Sequence, residues 1–253
     1  MTVLLTGREG GTTHREVELL ASLPAELRLI GGLAVMCRVG SPHRATVDLD
    51  ALARGLDRYH ATLSRLAVTA DGGGQYRFAG DLDLDVIDVA PSPAADLATE
   101  MEALGPVTDL EINVIAHAWA HDTATPLDIV AVDEATGARL AEARDRLVAS
   151  AAGIVAMKAS TVPLRASSKP EKRASDLYDL GRLLVDGGLG PGALDALPAA
   201  AREPIVARIT GWFVTGAGRD RTYREVRRFD EPPLDLDAAA DAVERVLGAT
   251  ADQ

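Results

Sequence analysis

The sequence predicts an α/β protein of two lobes, an N-terminal mixed-sheet core over residues 1–136 and a mainly α-helical C-terminal lobe over residues 137–253. Two observations carry this. In the first half, runs that alternate apolar and polar residues, ATVDLD at 45–50 and DLDLDVIDVA at 81–90, are interleaved with runs of helical period such as THREVELLASL at 13–23. From about Gly137 onward the chain becomes Ala-rich and reads as helical to its end. With 253 residues, 47% of them hydrophobic, there is material for two modest cores, although no linker separates the halves.

Taken in order, THREVELLASL is expected as a capped amphipathic helix and LRLIG at 27–31 as a short strand. GLAVMCRV at 32–39 is expected as a helix that opens at the glycine pair, and ATVDLD as the next strand. ALARGLDRYHATLSRLAV at 51–68 reads as a helix. GGG at 72–74 suits a hairpin turn between LAVTA and QYRFAG, and DLDLDVIDVA returns as a strand. EINVIAHAWAH at 111–121 and PLDIVAVD at 126–133 are expected as a further strand pair.

The formal net charge of −12 argues against a polyanionic partner until its distribution is considered. Lys158, Arg165, Lys169, Lys172 and Arg173 cluster in one stretch, and Arg219, Arg221, Arg224, Arg227 and Arg228 crowd another, GRDRTYREVRRF. Local basic faces of this kind suit a nucleotide triphosphate or a structured RNA, and a solvated helix face is the plainer alternative. No run of about 18 apolar residues and no signal peptide is legible, so no membrane partner is expected and the chain is placed in the cytoplasm. The single cysteine, Cys37, lies in an apolar run and reads as a core residue.

The chemistry begins at GGLAVMCRVGSPHRATVDLD, residues 31–50. On a strand, Thr46, Asp48 and Asp50 share one face and Val47 and Leu49 the other, with same-face neighbours about 6.6 Å apart. Two carboxylates so placed converge on divalent cations, which in two-metal sites lie about 3.5 to 4 Å apart. Mg²⁺ fits, being hard and retaining positions for phosphate. Gly31 and Gly32, ending a strand and opening a helix, leave backbone N–H groups bare to cradle a triphosphate. Metal carboxylates beside a phosphate cradle point to phosphoryl or nucleotidyl transfer. A third carboxylate is expected from DLDLDVIDV, where Asp81, Asp83 and Asp85 share a face. Asp85 is preferred because it abuts the apolar Val86-Ile87 that would anchor the strand, and Asp83 is the alternative. A calcium loop is excluded, since Val86 stands where glycine is needed. His117 and His121 are spaced i, i+4, but Ala118 stands where a zinc protease would carry its glutamate.

The series GG(x15)DxD, a later strand aspartate, and MKASTVPLRASSKPEKRASDLYDLGRLL at 157–184 resembles the AbiEii/MenT nucleotidyltransferase toxins of the DNA-polymerase-beta-like superfamily, over about Leu27 to Val185. Gly32 stands where that family frequently has Ser. The resemblance implies that Gly31 and Gly32 begin the site, that Asp48 and Asp50 bind metal, that Lys158 holds nucleotide phosphate, and that Asp176 completes the pocket. Arg44 is counted with the nucleotide-binding residues, and Asp85 with the metal and catalytic ones. In some relatives a hydroxyl residue two before the first metal aspartate is phosphorylated for regulation, and Thr46 occupies that place. The implied reaction is Mg²⁺-dependent transfer of NMP from an NTP to a tRNA 3′ end by a toxin that a cognate antitoxin protein restrains. The alternatives are a small-molecule nucleotidyltransferase of the antibiotic-modifying kind and a degenerate, non-enzymatic binding module of the same fold. Lys158 lies among apolar neighbours, whereas Arg173 and Asp179 read equally well as a surface ion-pair ladder.

Overall fold

A computed structural model describes residues 1–40, 48–165, 169–229 and 232–248. The chain forms two compact units, Met1–Pro91 with Thr123–Ser150, and Ser92–Asp122 with Ala151–Gln253.

The first unit holds the strands β1 (Thr2–Gly7), β2 (Arg28–Ile30), β3 (Asp48–Ala53), β4 (Thr69–Gly72), β5 (Gln75–Phe78), β6 (Leu82–Asp88), β7 (Thr125–Asp133) and β8 (Arg139–Val148), with helices α1 (Thr12–Ser22), α2 (Gly31–Val39) and α3 (Asp57–Leu66). The strands form one mixed sheet in the order β1-β7-β8-β2-β3-β6-β5-β4. β3 runs parallel to β6 and antiparallel to β2, and β5 runs antiparallel to β6. Period-2 alternation sorts the two central strands. Leu49, Leu82, Leu84 and Val86 are buried, while Asp48, Asp50, Asp83 and Asp85 are half-buried on the other face. α2 follows β2 without a connecting loop. Its residues Gly32 to Cys37 are all buried, and it stops at Gly40, whose left-handed φ of 76° lets its N–H reach the Met36 carbonyl. Cys37 is sealed in this core, and burial pushes its thiol pKa up to about 12.

The second unit is helical: α4 (Ala94–Leu104), α5 (Asp109–Asp122), α6 (Ala151–Arg165), α7 (Pro170–Asp186), α8 (Ala199–Phe213), α9 (Gly216–Val226) and α10 (Leu236–Leu247). α6 packs on α5, α7 and α8, and α7 also meets α9 and α10. α10 is capped by Asp235, whose carboxylate accepts from the amides of Asp237 and Ala238 at 2.9 and 3.1 Å. No helix among the described residues is long and apolar enough to cross a membrane.

The fold class is the α/β arrangement that the sequence predicts, but four elements differ. Residues 111–121 form helix α5, not a strand. Their buried apolar positions Ile112, Ile115, Ala116 and Trp119 keep helical spacing, which the local alternation of Glu111 to Val114 obscures. The strand that pairs with β7 is instead β8, lying within the Ala-rich stretch expected as helix. β8 is antiparallel to β7 and parallel to β2, and that two-sided pairing outweighs the helical propensity of its alanines. The helix expected over 51–68 is only α3, because β3 runs on through Ala53. The chain then bends at Gly55, and the Asp88 carboxylate accepts from the amides of Gly55 and Leu56 at 2.8 and 3.1 Å. α1 lacks the expected side-chain cap, since Gly11 holds the N-cap position. The 136/137 division drawn in the sequence falls in the turn between β7 and β8, inside the first unit.

Candidate active site

The turn from β2 into α2 is the first fixed point of the site. Gly31 adopts φ +70°, and a Cβ there would stand 2.8 Å from Cβ and Cγ of Asp50 and closer still to Oδ2. Only glycine satisfies both conditions, so the bare backbone at the start of α2 and the Asp50 carboxylate are packed directly together. The pairing of β2 with β3 brings this about, because Ile30 is the register partner of Asp50. Gly32 follows in the first turn of α2 and is buried.

Across the sheet the register lines up two rows of polar residues. Asp48, Asp83 and Arg77 form one row, and Asp50, Asp85 and Gln75 the other. In-register neighbours point to the same face, so four aspartates from two parallel strands share one surface. Asp48, Asp83 and Asp85 line a cleft of about 190 Å³ together with Asp71, Gln75, Tyr76 and Arg77. Asp83 is engaged there: Arg77 Nε donates to its Oδ1 at 2.8 Å and Nη2 to its Oδ2 at 3.4 Å. Asp81, expected on the same face, lies before β6 with a φ of 58° and is not part of the row.

In the second unit the residues singled out in the sequence form a buried charge cluster. Lys158 Nζ lies 2.8 Å from Asp176 Oδ1 and 2.8 Å from Asp179 Oδ2, and Arg165 pairs with the other oxygen of Asp176. Lys158, Asp176 and Asp179 are 6%, 4% and 0% exposed, so this is no surface ladder. Asp176 and Asp179, three residues apart on α7, present one face to α6, where Lys158 lies seven residues before Arg165. Arg173 is turned elsewhere and pairs with Glu225 at 3.1 Å. On α5, burial holds the His117 imidazole below the usual histidine range, and its Nδ1 donates to the Asn113 carbonyl at 2.7 Å.

Three members of the arginine cluster are partly committed. Arg219 pairs with Asp237, Arg221 with Glu225 at 3.0 Å, and Arg228 Nε donates to the Glu225 carbonyl at 3.1 Å. Arg224 and Arg227 are exposed. Arg44 and Thr46 lie outside the described residues.

The pairings of Arg77 with Asp83 and of Arg165 with Asp176 were not read from the sequence. A signal existed for the first pair. Once Phe78 is set opposite Leu82 across the β5–β6 turn, Arg77 necessarily faces Asp83. The oxygen donors of Asp48, Asp50 and Asp85 are of the type that Mg²⁺ takes, and the absent Gly31 side chain leaves room for the Asp50 carboxylate beside the start of α2. Among the described residues no three Asp, Glu, His or Cys side chains already converge on a metal position.

The model of the AbiEii nucleotidyl transferase toxins of type IV toxin–antitoxin systems matches residues 18–247. The chain belongs to this family. No curated protein matches it. The match to the AbiEii family includes the glycine turn, both strands of aspartates, the buried lysine cluster and α9, so elements of both units belong to one nucleotidyltransferase toxin.

Proposed function

We propose that this AbiEii-family toxin transfers NMP from an NTP to a hydroxyl of an RNA acceptor, the tRNA 3′ end, with release of pyrophosphate. The observation that carries the reading is the close packing of Gly31 on Asp50, which joins a helix-start phosphate cradle to a pair of same-face carboxylates. Asp48 and Asp50 would hold Mg²⁺, with Asp85 as the third carboxylate, since both oxygens of Asp83 are engaged by Arg77. When bound, Mg²⁺ supplies charge neutralisation at the reacting phosphate. The amides at the start of α2 receive triphosphate oxygens. Asp85 accepts the proton of the acceptor hydroxyl as its oxygen bonds to the α-phosphorus and the bond to pyrophosphate breaks. Lys158 and Asp176 serve the nucleotide, Lys158 giving up one carboxylate partner to a phosphate oxygen. Arg44 contributes to nucleotide binding. The five arginines from Arg219 to Arg228 meet acceptor phosphates. A cognate antitoxin protein restrains the toxin in the cytoplasm, with Thr46 as a regulatory residue.

Incubating the protein with each labelled NTP, Mg²⁺ and total tRNA tests this. Label on RNA, absent with Asp48→Ala, is expected. Label only on a small-molecule acceptor, or on none, overturns it.

A further inference from the structure

The cleft beside Asp48 has an acidic wall and, among the described residues that line it, one cation. Asp48, Asp71, Asp83 and Asp85 contribute four carboxylates and Arg77 the guanidinium. Such a wall repels any phosphodiester that approaches without metal, so a fixed positive group at its rim changes which anion can dock.

Arg77 is held in a defined pose. Its Nε and Nη2 both point at Asp83, which uses one edge of the guanidinium fork. The Nη1 side keeps its donors, and the side chain is 60% exposed. An arginine with one edge fixed by a carboxylate and the other turned to solvent is suited to take a phosphate oxygen pair.

The position of Arg77 in the sheet separates it from the nucleotide end of the site. Gly31 follows β2 directly, the metal-type acids stand on β3 and β6, and Arg77 stands on β5. At about 4.8 Å per strand, β5 lies roughly 14 Å from β2. The triphosphate cradle and Arg77 thus flank the acids on opposite sides, and a nucleotidyl transfer needs its acceptor opposite the leaving group.

We infer that Arg77, braced by Asp83, binds a backbone phosphate of the nucleic-acid acceptor next to the reacting hydroxyl. Asp83 is then a positioning residue and Asp85 remains for the chemistry. The inference rests on the transfer reaction proposed above, but part of its test does not.

The test compares wild type with Arg77→Gln, Arg77→Lys and Asp83→Asn. tRNA affinity is measured by fluorescence anisotropy across a salt series at fixed Mg²⁺ and without NTP, and KM for NTP and for tRNA is measured separately. Arg77→Gln is expected to weaken tRNA binding about tenfold. It should also lower the salt slope by roughly 0.7 to 0.9 and raise KM for tRNA while KM for NTP stays put. Arg77→Lys should keep the salt slope and recover part of the affinity, because the charge remains and the fork does not. Asp83→Asn should raise KM for tRNA without changing the Mg²⁺ concentration at half-maximal rate. Arg77→Gln with unchanged tRNA affinity and slope overturns the inference, as does a rise confined to KM for NTP. A change in Mg²⁺ requirement with Asp83→Asn overturns the role given to Asp83. A wild type that binds tRNA through Arg77 but transfers nothing to it sinks the reaction and leaves the phosphate contact standing.

Discussion

Gly31 carries two constraints at once, a left-handed backbone and the Asp50 carboxylate against its α-carbon. Any side chain there must strain the turn and push Asp50 aside. Gly31→Ala is therefore expected to cost about 1–3 kcal/mol of stability. Displacing Asp50 by an ångström should also lower transfer about a hundredfold. Thermal melts and steady-state kinetics on the same preparation check this, and an Ala variant with wild-type values for both would show that the carboxylate has room to move. The same-face placement of Asp48 and Asp50 was legible from the sequence, because strand parity is local and Leu49 between them needs burial. The bond between Arg77 and Asp83 was not, because it depends on the register of a hairpin. Nor was the burial of Asp179, which follows from what packs over α7.

α6 and α7 meet through charge as well as apolar contact, and this alters the meaning of a lysine variant. Lys158 bridges two buried carboxylates, so Lys158→Ala leaves Asp176 and Asp179 without their shared cation. A loss of about 3–5 kcal/mol is expected. It would read out as a lower denaturant midpoint at unchanged slope, whereas a lysine that serves ligand alone would leave the midpoint where it was. At the end of α9, Arg224 and Arg227 are exposed, and their joint replacement by Gln should reduce the salt slope of tRNA binding by roughly 0.7 to 0.9 per lost contact. An unchanged slope would leave α9 as a solvated face. Helices α6 to α10 were legible as helical sequence. α5 and β8 were not: one has a helical face hidden by local alternation, and the other is rich in alanine yet held in the sheet from both sides.

At the scale of the whole molecule the chain visits each unit more than once. Residues 92–122 belong with α6 to α10, and β7 and β8 return to complete the sheet. β8 joins β7 to β2, so the pair β1-β7 is connected to the remaining strands through β8. A fragment of residues 1–136, the division read from the sequence, lacks β8 and exposes the faces of α4 and α5 that pack within the second unit. It should show neither a cooperative melt nor dispersed amide resonances. A well-folded fragment would mean that β7 can pair directly with β2. A discontinuous unit leaves no linker for composition to reveal, which is why the sequence offered no natural boundary.

The buried thiol of Cys37 makes α2 its own reporter. It is the one cysteine in the chain, it sits on the helix that opens at Gly31, and its pKa of about 12 keeps it protonated at neutral pH. A thiol reagent can modify it only while that helix is detached from the sheet, so the labelling rate counts detachment events. An NTP seated on the amides of α2 should slow that count in proportion to occupancy, yielding a binding isotherm without radiolabel, acceptor or turnover. Labelling that ignored saturating NTP would place the nucleotide away from this helix.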